Sequence, residues 1–264
     1  MAISHKIIAD SINPFGVRLT TVEVHVPLHV WVHILTHRCL SRNAQSYRAI
    51  PTEKLLAQPE YVPSRWMKTG KGMTPPCEVS EHEAKNLDSA WRAAASCAWI
   101  WAHDSAKLGG SKETINRILS PFRLVKGIVT GDESAWRSVF SLRCAPDTQW
   151  ETRELMEGIR DEMVDLGAKG AHIHLPYINE GELFTYGKDK CMKISAARCA
   201  RVSYLTHDGE RDVEKDIALY DRLVKEKHMS PLEHPATFNQ EDVDTGNFDP
   251  TWLQLRKAVE HGYV

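Results

Sequence analysis

Residues 37–48, HRCLSRNAQSYR, bring three arginines, two serines, an asparagine and a histidine into one short stretch. That set suits a phosphate. Arginine offers permanently charged, bidentate donors. Serine and asparagine add neutral donors, and loop backbone N–H groups can complete an anion nest. A solvated helix end with surface ion pairs would have the same composition, so composition leaves both readings open. A second cluster, AARCARVS, lies at 196–203, and a third, HMSPLEH, at 228–234. Ser230-Pro231 marks a turn and places Glu233 and His234 just beyond a helix end. Arg117, in NRILSP, and Arg143, in SLRCAPDTQWE, stand in otherwise apolar segments. A guanidinium there needs a carboxylate or a bound ligand as its partner. His29, His33 and His37 recur every four residues and share a helix face. Two such histidines can bind zinc, but closing the site would need another element, such as His172 or His174.

The elements that must position these groups can be read from periodicity. Residues 18–26, RLTTVEVHV, alternate apolar and polar side chains, which predicts a half-buried strand. Pro27 then opens a helix expected over 28–43. The stretch 44–80 is rich in Pro, Gly and polar residues and reads as a long loop, suited either to a lid over substrate or to an oligomer contact. Helices are expected at 81–108 and, after Gly109-Gly110 and a capping Ser111, through KETINRIL. Others are expected at 151–166 and, capped by Asp212, at 212–227. The tail 251–260 reads as a weaker helix or strand. Trp91, Trp99 and Trp101 are expected in the core. Many helices and few strands indicate an α+β domain, with no linker or repeat to divide residues 1–264.

The totals exclude several classes. Of 264 residues, 42% are apolar and 26% charged, as in ordinary soluble proteins. A formal charge of −2 lacks the basic excess expected of a binder of polymeric nucleic acid. Six scattered cysteines without a C-x-x-C predict reduced thiols rather than a disulfide framework or a thiolate zinc site. No apolar run reaches the roughly 20 residues of a membrane helix, and the first residues lack a secretory pattern. A cytoplasmic location follows as an expectation, the host's cytoplasm if the source is viral.

Together the clusters resemble the flavin-dependent thymidylate synthases. That family's motif R-H-R-x-x-S-x-N-x-x-S-x-R-Y is matched by THRCLSRNAQSYRA at 36–49. Its A-R-V-S segment, helix and H-x-[ST]-P-F-E-H segment are matched by ARVS at 200–203 and HMSPLEH at 228–234. Its Arg-before-Pro stretch and its L-R…Q-x-E run correspond to Arg117 before Pro121 and to LRCAPDTQWE at 142–151. The order is swapped, because in the family the A-R-V-S and P-x-E-H segments come first. A circular permutation explains this, and it requires strand 18–26 to lie beside residues 230–238.

The resemblance implies an α+β fold with a mixed or antiparallel sheet and several long helices. It also implies FAD as cofactor, NADPH and methylene-tetrahydrofolate as co-substrates, and a homotetramer with shared sites. His37, Arg38 and Asn43 would contact the flavin cofactor, and Ser203, Ser230 and Glu233 would hold other parts of FAD. Ser46 and Arg48 would bind the nucleotide phosphate, and Arg117 the phosphate or ribose. Arg143 would hydrogen-bond and polarise the pyrimidine, usually that of dUMP. Departures stand at Thr36 for the first Arg, Ala44 for a Glu and Ala49 for the closing Tyr. Further departures are His33 for a Gln, Ser138 for an Asn and Asp147 for a His. They leave open a dCMP substrate, a hydroxymethylated product, or a homologue that binds without turnover.

Overall fold

The computed structural model describes residues 2–68, 77–204 and 212–264. The 69–76 part of the long loop, and any lid role it has, lies outside the described residues.

The chain opens with a hairpin of β1 (Ser4–Ile12) and β2 (Arg18–Pro27), and α1 (Leu28–Leu35) follows directly. Val30, Trp31 and Ile34 form the buried stripe of α1. The helix expected to reach residue 43 stops eight residues earlier. Thr36 Oγ1 donates to the His33 carbonyl at 2.7 Å, and the Arg42 guanidinium donates to the carbonyls of Leu35 and His37, both at 3.2 Å. These bonds satisfy the helix-end carbonyls and release the chain into strand β3 (Ser41–Ala44). The 44–80 segment is not wholly irregular, since it contains α2 (Thr52–Leu56).

Next come α3 (Glu81–Lys107), started by a Ser80/Glu83 capping box, and α4 (Lys112–Leu119). Ser111 precedes α4 but makes no side-chain capping bond. The inward face of α3 is made of Ala95, Ala98 and Ala102. Trp99 and Trp101 therefore point outward, 39% and 67% exposed, contrary to the expected core placement. After these lie β4 (Leu124–Asp132), α5 (Glu133–Arg143) and α6 (Trp150–Leu166). Two short strands, β5 (Lys169–Gly170) and β6 (Ile173–His174), lead to α7 (Glu180–Arg201), which is kinked at Gly187, where φ is 74°. The chain continues with α8 (Val213–Lys225), capped by Asp212 as expected, then β7 (Ala236–Phe238), β8 (Trp252–Gln254) and α9 (Leu255–Glu260). The ambiguous tail is thus half strand and half helix.

The result is α+β. One mixed sheet has the order β3-β4-β2-β1-β5, antiparallel except for the β1–β5 pair, and a second, antiparallel sheet has the order β6-β7-β8. The register of β2 with β4 pairs Val22 with Val129, Val24 with Gly127 and Val26 with Val125. That apolar face packs under Trp31, Trp136, Leu155 and Ile159. Trp31 lies so close over Gly127 that a Cβ there would come within 2.5 Å of the ring. The opposite face carries Thr21, Glu23, Ile128 and Thr130. It is covered too, with Cys199 and Val202 packing on Ile128 and Tyr177 donating to Glu23 at 2.6 Å. Strand 18–26 is therefore buried on both faces, because the C-terminal third of the chain covers the face that alternation assigned to solvent.

Candidate active site

The C-terminal ends of α1 and α5 meet. Arg143, the last residue of α5, donates from Nε to His37 Nε2 at 2.8 Å and from its second amino group to Thr36 Oγ1 at 2.8 Å. Burial, followed by the charges of Arg143 and Arg42, pushes the His37 imidazole below its usual pKa. A neutral imidazole that accepts at Nε2 carries its proton on Nδ1. His37 is therefore a neutral Nδ1–H donor seated against a guanidinium. The same helix face docks onto the start of α6. His33 Nδ1 lies 2.8 Å from Thr152 Oγ1, and His29 Nε2 lies 3.2 Å from the buried Glu151 carboxylate. Burial pushes the Glu151 carboxyl up, but hydrogen bonds from His29, Tyr61 and Gln149 outweigh it and hold the group below its usual value. The three-histidine ladder is thus occupied by three different protein partners. Among the described residues no group of three or more His, Cys, Asp or Glu side chains stands where it could hold a metal ion.

Asn43 anchors a second group. Its Nδ2 donates to the Cys199 carbonyl at 3.0 Å and approaches Ser203 Oγ at 3.5 Å, while its Oδ1 faces His234 Nε2 at 2.5 Å. The Ser46 backbone N–H donates to the Ser203 carbonyl at 3.3 Å. The 37–48 cluster, the ARVS segment and the HMSPLEH segment therefore touch within one chain. Leu19 of β2 and Ala236 of β7 share one apolar cluster, so the condition set by a permuted order is met.

Behind Asn43, His234 Nδ1 lies 2.8 Å from Thr130 Oγ1, and Thr130 Oγ1 lies 2.7 Å from Thr21 Oγ1. Beyond these, His174 Nε2 is 2.7 Å from Thr21 Oγ1 and His174 Nδ1 is 3.0 Å from Ser11 Oγ. Both histidines are wholly buried, and burial lowers each pKa to about 3. The sign for stability follows directly. The unfolded chain takes up these protons near pH 6.5, whereas the native chain resists them down to about pH 3. Stability is thus full above about pH 6.5 and falls below it, by about 1.4 kcal/mol per pH unit per histidine. Urea midpoints at pH 7.5 and 5.5 check this, and a midpoint that held or rose at the lower pH would contradict it.

Beside these groups opens a cleft of about 430 Å³. Arg38, Arg42, Arg256 and Lys257 face it, with Glu233 and Asp244 as the carboxylates. Arg256 pairs with Glu233, and Lys257 with Asp244 at 2.7 Å. Arg42 Nε is buried with no hydrogen-bond partner. Four cations against two carboxylates around the cleft fit a pyrophosphate, and a carboxylate at the rim fits sugar or ribityl hydroxyls. The donor set therefore fits part of FAD. Arg256, Lys257 and Asn247 were not singled out from the sequence, since α9 matches no motif and reaches Glu233 only by tertiary folding.

Three expected ligand residues do not line this cleft. Arg117 is solvent-exposed on α4 instead of embedded, because Ile115 and Leu119 take the inner positions. Arg48 is exposed and lies 3.5 Å from Glu113 of the same helix. Ser230 is exposed at the start of the 3-10 turn Ser230–Glu233. Arg201 of the ARVS segment is structural, donating to Asp216 at 2.8 Å.

The sequence profile of the Thy1 family, described as thymidylate synthase complementing protein, matches residues 9–166. No curated protein matches the chain in sequence. Among solved structures, a UMP/dUMP methylase, PolB from Streptomyces cacaoi bound with 5-Br UMP, is similar with a TM-score of 0.54 at 16% identity. That likeness covers 62% of this chain and 89% of the methylase. The same methylase bound with 5-Br dUMP gives a TM-score of 0.49 at 20% identity over 56% of this chain and 67% of that one.

Proposed function

Because the chain belongs to the thymidylate synthase complementing protein family, we propose that it is an FAD-dependent enzyme that moves a one-carbon unit from methylene-tetrahydrofolate to C5 of a deoxypyrimidine monophosphate. dUMP is the expected substrate, dTMP the product, NADPH the reductant and the cytoplasm the setting. The observation that carries this reading is the contact of Arg143 with His37 across 106 residues, beside the cationic cleft. A UMP/dUMP methylase of similar fold supports the substrate class. The meeting of ARVS, HMSPLEH and the 37–48 cluster in one chain supports a permuted member of the family.

FAD, once bound and reduced by NADPH, would supply the hydride. Arg38, Arg256 and Lys257 would hold its pyrophosphate, Glu233 would accept from its hydroxyls, and Ser203 and Ser230 would hydrogen-bond its other polar atoms. Neutral His37 donates from Nδ1 without adding charge. Arg143 spends two N–H groups on His37 and Thr36 and keeps three for a pyrimidine carbonyl. Charge develops on that carbonyl as the ring is activated, so a fixed guanidinium stabilises the transition state more than the ground state. Ser46, Arg48 and Arg117 hold the nucleotide phosphate, with Arg48 and Arg117 acting on a neighbouring protomer's site in a homotetramer.

The test is an absorption spectrum of purified protein, followed by release of tritium from C5-labelled dUMP or dCMP with NADPH and methylene-tetrahydrofolate. Flavin bands with release from dUMP are expected. Release from dCMP alone would change the substrate, and flavin without release would indicate a binding protein. A colourless protein that ignores added FAD would end the reading. Glu233→Ala is expected to weaken flavin retention after desalting by about tenfold, the loss of one charged hydrogen-bond partner. Full retention would remove Glu233 from the cofactor site.

A further inference from the structure

We propose that Ser11, His174, Thr21, Thr130, His234 and Asn43 form one hydrogen-bond chain of fixed polarity, which commits both amide protons of Asn43 and makes it a positioning residue for Ser203 rather than a donor to a ligand. Its direction is decided at one end. The Cys199 carbonyl can only accept, so the Asn43 amide must turn its NH₂ toward it at 3.0 Å. The reverse amide orientation would set two carbonyl oxygens against each other. Asn43 Oδ1 therefore faces His234, and the 2.5 Å contact requires a proton on His234 Nε2.

His234 is wholly buried with no carboxylate on it, so the ring is neutral and Nδ1 accepts. The Thr130 hydroxyl donates to it at 2.8 Å. With that proton committed, Thr130 Oγ1 accepts from Thr21 at 2.7 Å. Thr21 Oγ1 in turn accepts from His174 Nε2 at 2.7 Å. His174, also neutral and buried, accepts at Nδ1 from Ser11 at 3.0 Å. Every proton is assigned, and both imidazoles are Nε2–H tautomers. His37, by contrast, is held as Nδ1–H by Arg143.

The chain passes from β1 to β6, β2, β4, the residue after the Ser230–Glu233 turn, and β3. It therefore crosses between the family-matched part, residues 9–166, and the C-terminal part at both histidines. Buried polar networks of this kind set register, since a slip leaves several groups without partners. At its end, Asn43 has spent Nδ2 on Cys199 and Ser203 and one side of Oδ1 on His234. Ser203 Oγ is approached by a donor at 3.5 Å, so its own hydroxyl proton is free to point outward. The polarity rests on geometry alone, whereas the role given to Ser203 rests on the flavin reading above.

The experiment is ¹⁵N NMR of histidine-labelled protein as purified, at pH 7, with flavin retention measured alongside. Thr130→Val removes both hydroxyl roles with little change of volume, and Thr130→Ser restores them. In the unsubstituted protein His174 and His234 should both show the neutral Nε2–H pattern. Thr130→Val should disturb the His234 pattern and weaken flavin retention about tenfold, and Thr130→Ser should recover both. An Nδ1–H or charged form of either histidine would overturn the polarity, with no variant needed. The expected tautomers in a protein that binds no flavin would uphold the chain and overturn its role at Ser203. Full retention of flavin in a folded Thr130→Val protein would overturn that role as well.

Discussion

Arg143→Ala is expected to lower kcat/KM about 10²–10³-fold while leaving flavin bound, a loss of about 3–4 kcal/mol of transition-state stabilisation. The size follows from removing one fixed donor aimed at developing charge. The geometry explains why the donor is fixed. Arg143 is clamped by His37 Nε2 and Thr36 Oγ1, both at 2.8 Å, so little reorganisation remains to be done on binding. Thr36 stands where the family motif has an arginine. A second cation there would repel Arg143, whereas the hydroxyl accepts from it. Arg143→Lys should recover little, because an ammonium cannot hold His37 and Thr36 and still present a fork to the base. The check is tritium release from C5-labelled dUMP together with the flavin-to-protein absorbance ratio. Normal turnover with lost flavin would move Arg143 to the cofactor site.

The second large effect is on stability. Asp216→Ala is expected to cost about 3–5 kcal/mol, the range for breaking a buried ion pair from one side. Asp216 is fully buried and accepts from Arg198 Nε at 3.1 Å and Arg201 Nε at 2.8 Å. Arg198 also donates to Glu182 at 2.7 Å and to the Tyr177 carbonyl at 2.8 Å. Without Asp216 two buried guanidinium groups lose their shared anion. This network ties α8 to the ARVS end of α7, so the change should loosen Ser203 as well as the fold. Urea unfolding measures the cost. A loss below about 1 kcal/mol with an unchanged m-value would show that water or Glu182 replaces the carboxylate.

Much of the candidate site was legible in the sequence, because groups suited to holding an anion stand there in short clusters of definite spacing. His37, Asn43, Arg143, Ser203 and Glu233 all stand in such clusters, and the structure brings Arg143 to His37 and Asn43 to Ser203. Local rules also located α3, α6 and α8 and the strand at 18–26, since capping residues and periodicity act within a few positions. They failed at β4, where all nine residues are buried and no alternation remains to be seen. They failed at α1, whose end is decided by Arg42 folding back on three carbonyls instead of by any breaker. They misplaced Arg117, which was expected inside an apolar segment and is exposed on α4, because a charge among apolar residues shows the need for a partner but not which face of the helix it takes.

What only the tertiary structure decided is how distant segments meet. Asn13 donates to Thr251 Oγ1 at 2.7 Å across 238 positions, and His174 reaches Thr21 across 153. Such pairs carry no periodic signal, since hydrogen bonding depends on separation in space and not along the chain. The residue types and motif spacings belong to the sequence by itself. The covering of the sheet's polar face, and with it the joining of the displaced segments into one site, belongs to the fold.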